Sequence, residues 1–280
     1  MKNFLFHYCF IVSLFASTGV IGQDEVQFKI EYRPGRIYHS ISTITQHVDI
    51  KFVGPPSYVD SLKKAGGSDT RSVLQEFYSD MDFRTMKNVN DSGQFGIDIV
   101  YNKLRVGKDS LYIPAGTTLK GIVTTKSLPK IISVESEQLD EATKQALISM
   151  VSNFFSQVDL PEKTMKKGER FTHMLPLKMP VGNLSLKMNI ETTYTLVHIE
   201  NGIATFLIEQ HYLKDPAADK NSIIATGEGN GELVYDMTES FYKKYRISTE
   251  IKMHINSSKA EVTEDMKGYS EINYTIKKSD

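Results

Sequence analysis

The stretch YRISTEIKMHI, residues 245–255, decides the fold class because its apolar and polar residues alternate with a period of two. One set of alternate positions holds Tyr245, Ile247, Thr249, Ile251, Met253 and Ile255. The other set holds Arg246, Ser248, Glu250, Lys252 and His254. Successive side chains of a strand point to opposite faces of the sheet, so this pattern predicts a half-buried antiparallel strand. Most of the chain after residue 22 shows the same period, which predicts a mainly β protein.

A second segment, TYTLVHIENGIATFLIEQHY at residues 193–212, predicts a β-hairpin. Asn201 and Gly202 both tolerate positive φ, which is what a two-residue type I′ turn requires. The resulting register predicts a core face made of Val197, Ile199, Ala204, Phe206 and Ile208. It predicts a wetter opposite face that carries Tyr194, His198 and Glu209.

The N-terminal part of the chain repeats this plan. Residues 81–104 predict another hairpin with NDSG (90–93) as its turn, and each hairpin follows a tight-turn phrase, RPGRIY (33–38) or KKGERF (166–171). This order suggests two related halves, residues 26–135 and 160–277. Residues 54–69 are rich in glycine, proline and serine, so we expect a long surface loop with a short turn of helix near residues 59–64.

One segment, residues 138–158, has helical spacing instead. Its apolar positions are Leu139, Ala142, Ala146, Leu147, Met150, Val151, Phe154, Phe155 and Val158. This i, i+3, i+4 spacing predicts one long amphipathic helix that Pro161 stops. The fold class is therefore α+β, a curved antiparallel sheet or half-barrel packed on the helix. Met150, Phe154 and Phe155 are either core residues or, together with Phe206, the lining of a lipid-sized groove.

The stretch TGEGNGELVYDM, residues 226–237, looks at first like a phosphate-binding loop. Such a loop needs a helix after its glycines, whereas the residues that follow continue as a strand. In a strand, Gly227, Gly229 and Gly231 lie on one face and allow a bend, a bulge or the close approach of another element. We therefore interpret them as structural glycines and expect Gly229→Val to harm folding rather than nucleotide binding.

The sequence offers no recognisable catalytic, metal or cofactor site. His39 and His47 lie eight residues apart on one predicted strand, too far for one metal ion, and no HExxH cluster occurs. There is also no GxSxG nucleophile elbow. We assign no catalytic residue, no metal ligand and no cofactor, and a hydrolase with an unrecognised site remains the least favoured reading.

The start of the chain reads as an export signal. Residues 1–22 combine Lys2, an apolar run and small residues, which is the layout of a cleaved signal peptide. The remaining residues, 23–280, then form a single β-rich domain. The only cysteine, Cys9, lies within the signal, which excludes a disulfide scaffold and a thiol nucleophile. Without Lys2 the net charge is −2, which argues against nucleic-acid binding, and no second apolar run predicts a transmembrane segment.

The order PEKTMKKGERF, TTYTLVHIENGIATFLIE, ATGEGNGELVYDMTESF resembles an uncharacterised family of exported proteins from Bacteroidota, a domain of unknown function. In that family a Lys-x-Gly-x-x-aromatic phrase precedes a Tyr-Thr-Leu hairpin, and a glycine-alternating strand ends in Tyr/Phe-Asp. The resemblance covers residues 27–277 and is best from Leu160 onward. This chain departs from the family at Thr238, Glu239 and Ser240, where the family usually has glycine. The resemblance brings no catalytic residues with it.

The architecture is also similar to half-barrel envelope proteins that carry lipoproteins or lipid, a likeness of plan and not of site. We therefore expect an exported, non-enzymatic binding protein of the periplasm or cell surface, with an apolar or amphipathic, lipid-like ligand between sheet and helix. The alternative is a structural module that binds another envelope protein through a sheet edge or through residues 54–75. The sequence carries no sign of the oligomeric state.

Overall fold

The computed structural model describes residues 24–53, 55–64, 68–107, 113–157, 162–181, 184–215, 222–256 and 261–279. The first-half strands are β1 (Glu25–Lys29), β2 (Arg36–Val53), β3 (Thr70–Val89), β4 (Phe95–Val106), β5 (Thr118–Val123) and β6 (Lys130–Glu135). The later strands are β7 (Glu162–Lys166), β8 (Arg170–Val181), β9 (Leu184–Glu200), β10 (Ile203–Lys214), β11 (Ser222–Asp236), β12 (Phe241–Asn256) and β13 (Glu261–Lys278). The helices are α1 (Pro56–Lys64) and α2 (Glu141–Gln157). The predicted signal peptide, residues 1–22, lies outside the described residues.

Eleven of these strands form one antiparallel sheet in the order β6-β5-β4-β3-β2-β13-β12-β11-β10-β9-β8. Two meanders, β2 to β6 and β8 to β13, therefore join where β13 pairs with β2. The strands β1 and β7 pair with each other in a separate two-stranded ribbon. In both halves a glycine with positive φ, Gly35 or Gly168, turns the chain from the ribbon into a long strand of the sheet.

The two edges of the large sheet lie near one helix. The edge strands are β6 and β8, which do not pair in the described structure, so the sheet stays open. Helix α2 packs against β6 and also contacts β8, so the two edges approach the same helix. A mainly β protein with antiparallel sheets and an amphipathic helix is thus confirmed.

Helix α2 begins later than the predicted residue 138 because Asp140 caps it. The backbone N–H of Thr143 donates to the Asp140 carboxylate at 2.7 Å, the contact expected of an N-cap side chain. The buried side of the helix contains Leu147, with Ile148, Val151 and Phe155 packed against the core. Two residues of the predicted apolar stripe, Ala146 and Met150, lie outside this buried side and are exposed.

The hairpin of β9 and β10 has the predicted turn, with φ values of 50° at Asn201 and 76° at Gly202. The predicted register holds next to the turn, where Ile199 pairs with Ala204. A β-bulge between Thr205 and Phe206 then shifts it by one residue, so Phe206 pairs with Leu196 instead of Val197. A bulge reverses the side-chain alternation of its strand. The wet position predicted for Tyr194 is therefore wrong, and this side chain is only 9% exposed.

The strand interpretation of TGEGNGELVYDM is confirmed, because all of Gly227, Gly229 and Gly231 lie within β11. A Cβ atom at Gly227 or Gly231 would overlap the carbonyl oxygen of Glu250 or Arg246 on β12. At Gly229 the contacts would be less severe, with the Thr249 methyl group at 3.0 Å and the Ser248 carbonyl oxygen at 3.2 Å. The glycines therefore permit a close approach of β11 and β12 that side chains would prevent.

Candidate ligand-binding site

The ribbon of β1 and β7 covers one half of the inner face, by which we mean the face of the large sheet that points into the core. Phe28 of β1 has no exposed surface. Its ring centroid lies 4.8 Å from that of Phe206 and 5.4 Å from that of Tyr235. The hydroxyl of Tyr235 donates to the backbone carbonyl of Lys29 at 2.7 Å, which ties the ribbon to β11. This half of the inner face is therefore filled by the protein itself.

The four residues predicted to line a groove are not equivalent in the structure. Phe206 is 0% exposed and lies beneath the ribbon rather than beneath the helix. Phe155 packs against the core, whereas Met150 is 56% exposed. The side chain of Phe154 lies outside the described residues. The structure thus brings Phe155 and Phe206 to one core cluster and leaves Met150 at the surface.

The other half of the inner face is not covered by the ribbon. The ribbon strands have five residues each, about 17 Å, whereas β2 has 18 residues, about 60 Å. Beyond the ribbon the inner face carries half-buried apolar side chains, which we call the inner trough. These are Ile44, Ile50 and Phe52 of β2, Phe77 of β3, Met253 of β12 and Met266 of β13. Their partly exposed surface is available to a ligand.

The far end of the trough is built by a second, smaller core cluster. Met188, Tyr212, Ala225 and Ile251 are buried there, and Met253 and Met266 pack against them. Strands β9 and β11 pair directly at Ile223 and Leu186, next to the end of β10. This pairing curls the sheet, and the flexible thioethers provide a surface that can adapt to different apolar shapes.

Tyrosines mark the boundary between the filled and the open halves. Tyr242, Tyr245 and Tyr274 lie on β12 and β13, where each is half-buried. Burial raises the pKa of Tyr194 and of Tyr212 to about 12, and it also raises the pKa of Tyr245. These phenols are therefore neutral hydrogen-bonding groups near pH 7 and not bases or nucleophiles.

Gln210 of β10 connects several of these groups. Its Nε2 donates to Thr192 Oγ1 at 3.1 Å and to the hydroxyl of Tyr245 at 3.3 Å. Its Oε1 accepts a hydrogen bond from the hydroxyl of Tyr212 at 2.8 Å. This network was not predicted from the sequence. The available signal was the alternate placement of Gln210 and Tyr212 on β10, next to the glycine strand β11.

Charged groups on the inner face lie at the trough end far from the tyrosines. Glu264 of β13 pairs with Ile50 and Met253 on the neighbouring strands. Burial raises the pKa of the Glu264 carboxyl group. Arg71 of β3 pairs with the other side of Ile50, so the two charged residues lie two strands apart, roughly 10 Å.

A polar cluster on the outer face of the sheet has a structural explanation. His39 Nδ1 lies 2.8 Å from Asp82 Oδ1, and Arg84 donates to the other oxygen of Asp82 at 2.7 Å. Asn102 donates to Asp80 at 2.9 Å. The His39 and Asn102 contacts join neighbouring strands, and the Arg84 contact lies within β3, so each of these side chains already has a partner. Across the described ranges, no group of histidine, cysteine and acidic residues has the arrangement of a metal site.

None of the helices in the described part of the chain has the length and apolar character needed to cross a membrane. No protein-family model matches the chain, and no curated protein matches it at a significant level. The candidate site is therefore defined by its own geometry. It is a trough with apolar side chains on either side of a polar row that includes Gln46 and Gln75. Neutral hydroxyl groups lie towards one end and two charged side chains at the other.

Proposed function

We propose that this protein binds an apolar or amphipathic, lipid-like ligand in the inner trough, and that it does so without catalysis. The observation that carries the proposal is the half-buried apolar surface of Ile44, Phe52 and Phe77, which the five-residue ribbon does not reach. An enclosed apolar surface with a few polar groups is the usual composition of a small-molecule site. The proposed ligand position differs from the one expected between sheet and helix, where Leu147 and Phe155 of the helix pack into the core.

The wider architecture forms part of the same proposal. A half-barrel of two related halves, residues 26–135 and 160–277, agrees with two meanders that each follow a ribbon strand and a glycine turn. Export to the periplasm or cell surface, with cleavage after residue 22, is proposed from the N-terminal sequence alone. Membership of the exported Bacteroidota family is proposed on the quoted phrases.

The absence of tryptophan from the chain allows a direct test. Phe77→Trp places one indole in the trough, and Tyr78→Trp places one on the opposite face of the same strand. Both replace one aromatic ring by another, so each is the control for the other. Dibrominated amphiphiles with neutral, anionic and cationic head groups, added below their micellar concentrations, should quench Phe77→Trp fluorescence and leave Tyr78→Trp unaffected.

Lipid extraction and mass spectrometry of the protein purified from its native host provide the second measurement. Ligand binding predicts a stoichiometric amphiphile in the extract that is reduced when the trough is blocked by Ile44→Arg. If no brominated amphiphile of any head group quenches the Phe77→Trp variant, and nothing is extracted, the proposed function is wrong.

The alternative function is a structural module that binds another envelope protein. It is favoured by exposed apolar side chains on the first meander: Met86 and Val89 of β3 and Ile132 of β6 are 43%, 49% and 59% exposed. Isolated exposed apolar residues are common on monomers, so this observation has less weight than the trough. A pull-down from envelope extracts with the Ile132→Lys variant as control separates the two functions.

A further inference from the structure

Several tyrosine hydroxyl groups converge at the closed end of the inner trough. The principal electrostatic neighbours of the Tyr242 phenol are the phenols of Tyr194, Tyr274, Tyr245 and Tyr32. The rings of Tyr242 and Tyr274 are 6.4 Å apart. Tyr245 pairs with Ile272 of β13, and Ile272 pairs with Ser42 of β2, so the trough begins at the next inner residue, Ile44. The hydroxyl cluster and the apolar trough are therefore adjacent parts of one surface.

Two of these hydroxyl groups carry a proton that forms no hydrogen bond to any of the described residues. The oxygen of Tyr245 accepts from Gln210 Nε2, which leaves the phenolic proton free to donate elsewhere. No acceptor for that proton, or for the proton of Tyr242, occurs in the described part of the chain. Every fully buried side-chain nitrogen or oxygen there has a partner. Tyr242 has no partner within the described ranges, so its hydroxyl must keep some access to solvent, and the side chain of Tyr245 is half-buried; both are therefore accessible to a ligand.

The charge environment restricts the head group that can bind here. The main neighbours of Tyr242 and Tyr245 are phenols and an amide, not lysine, arginine or carboxylate side chains. The same burial that disfavours a phenolate also disfavours an anionic head group that has no counter-ion. An ammonium group would have phenol rings but no carboxylate as a partner here, because Glu264 lies eight residues before Ile272 on β13, about 27 Å away.

The trough is long enough for a single hydrocarbon chain. Its length of about 27 Å approaches the ~30 Å hydrocarbon thickness of a bilayer, which two opposed acyl chains fill. One long acyl chain therefore fits between the tyrosines and the charged pair of Glu264 and Arg71. Hydroxyl donors at one end, and apolar side chains on both sides of the Gln46–Gln75 pair, match an amphiphile with acceptor oxygens in its head group.

We propose that the ligand is a neutral, oxygen-bearing amphiphile, such as a monoacylglycerol or another acyl ester. Its ester or hydroxyl oxygens accept hydrogen bonds from Tyr242 and Tyr245, and its acyl chain lies along the inner trough. This inference rests on the proposed function, because it specifies the ligand class of the same site. It goes further by excluding free fatty acids and cationic amphiphiles as the preferred ligands.

The test compares monolaurin, laurate and dodecyltrimethylammonium, which share a C12 chain and differ in head-group charge. Binding of all three probes is measured at the same pH of about 8, well above the ordinary pKa of a carboxylic acid, so that laurate is anionic. We expect monolaurin to bind more tightly than either charged probe. Tyr245→Phe and Tyr242→Phe should each weaken monolaurin binding roughly three- to tenfold, the effect of one hydrogen bond, and leave laurate binding unchanged.

The control is Tyr269→Phe, because Tyr269 lies on the outer face of β13 and donates to Glu271 at 2.7 Å. Circular dichroism and melting temperature verify that each variant is folded. If the three probes bind equally, or if laurate binds best, the ligand class is wrong while the proposed function stands. Equal monolaurin affinity in Tyr245→Phe, Tyr242→Phe and the parent protein also overturns the inference. If no probe binds, the proposed function fails and this inference fails with it.

Discussion

Gln210 of β10 hydrogen-bonds the hydroxyl of Tyr245 on β12 at 3.3 Å, across the whole width of the intervening strand β11. Neighbouring strands are separated by about 4.8 Å, so the backbones of β10 and β12 lie roughly 10 Å apart and the two side chains bridge that separation. The β11 residue that pairs with Gln210 is Gly229, whose inner face carries no side chain. The bare face of β11 therefore leaves room for the contact. The structural glycines and the candidate ligand site are parts of one arrangement.

This arrangement predicts a ranking among the three glycines. Gly227→Ala and Gly231→Ala each place a Cβ atom against a β12 carbonyl oxygen, which cannot move without breaking the sheet. We expect each to lower the free energy of unfolding by about 3 kcal/mol or more, the range of severe steric substitutions. Gly229→Ala meets two side chains that can shift and, at the longer distance of 3.2 Å, the carbonyl oxygen of Ser248, so we expect a smaller loss of about 1 kcal/mol. Urea unfolding measures the ranking.

The larger substitution Gly229→Val remains our prediction of impaired folding, because its methyl groups extend towards Ile247 as well as Thr249. Gly93→Ala is the control, since its Cβ atom would contact nothing within 4 Å although φ is 73°. Its expected cost is about 1–2 kcal/mol from the left-handed backbone alone. Equal losses at Gly93, Gly229 and Gly231 would contradict the close approach of β11 and β12.

The ribbon predicts a second effect, on core stability. Phe28→Ala removes a fully buried ring that packs on Phe206 and Tyr235, and we expect a loss of about 3–5 kcal/mol. The vacated space would also join the inner trough. Binding of a hydrophobic fluorescent dye should therefore increase at urea concentrations where the variant is still folded.

The matched control is Leu74→Ala on β3, whose side chain is 63% exposed. A surface substitution of this kind is expected to change the free energy of unfolding by less than about 0.5 kcal/mol. If Phe28→Ala proved as stable as Leu74→Ala, the ribbon would not be the packed element that the structure describes.

Glu264 predicts a pH dependence of stability. Burial raises the pKa of its carboxyl group in the folded state, so folding favours the neutral form. The unfavourable charge is present at neutral pH and disappears as the pH falls through the folded-state pKa. Glu264→Gln should therefore melt at a higher temperature than the parent protein at pH 7. The difference should shrink on acidification and vanish below pH ~4, the unfolded-state pKa of glutamate.

The comparison for this variant is Asp265→Asn, the next residue of β13, whose side chain points to the outer face. We expect no gain in melting temperature from that substitution at any pH. If the gain in melting temperature of Glu264→Gln did not depend on pH, its cause would be packing rather than the carboxylate charge.

Much of the candidate site could not be predicted from the sequence. Alternation correctly placed Ile247 and Ile251 on a buried face and Arg246 on an exposed one. It failed for Tyr194, because the bulge at Thr205 and Phe206 shifts the pairing by one residue. A bulge arises from the pairing of two strands, so the alternation of residues within a single strand does not reveal it. The Gln210 network was missed for the same reason, since its members are distant in sequence.

The sequence by itself determined which segments form strands, where Asn201-Gly202 and residues 90–93 turn, and why three alternate glycines belong to a strand. These properties depend on local φ preferences and on periodicity, which neighbouring residues already contain. The tertiary structure decided that β1 pairs with β7, that Phe28 covers Phe206, and that Met150 faces outward. Those outcomes depend on which apolar surfaces meet when distant elements pack together. The hydrophobic effect is non-directional, so it does not by itself select which element covers a given apolar side chain.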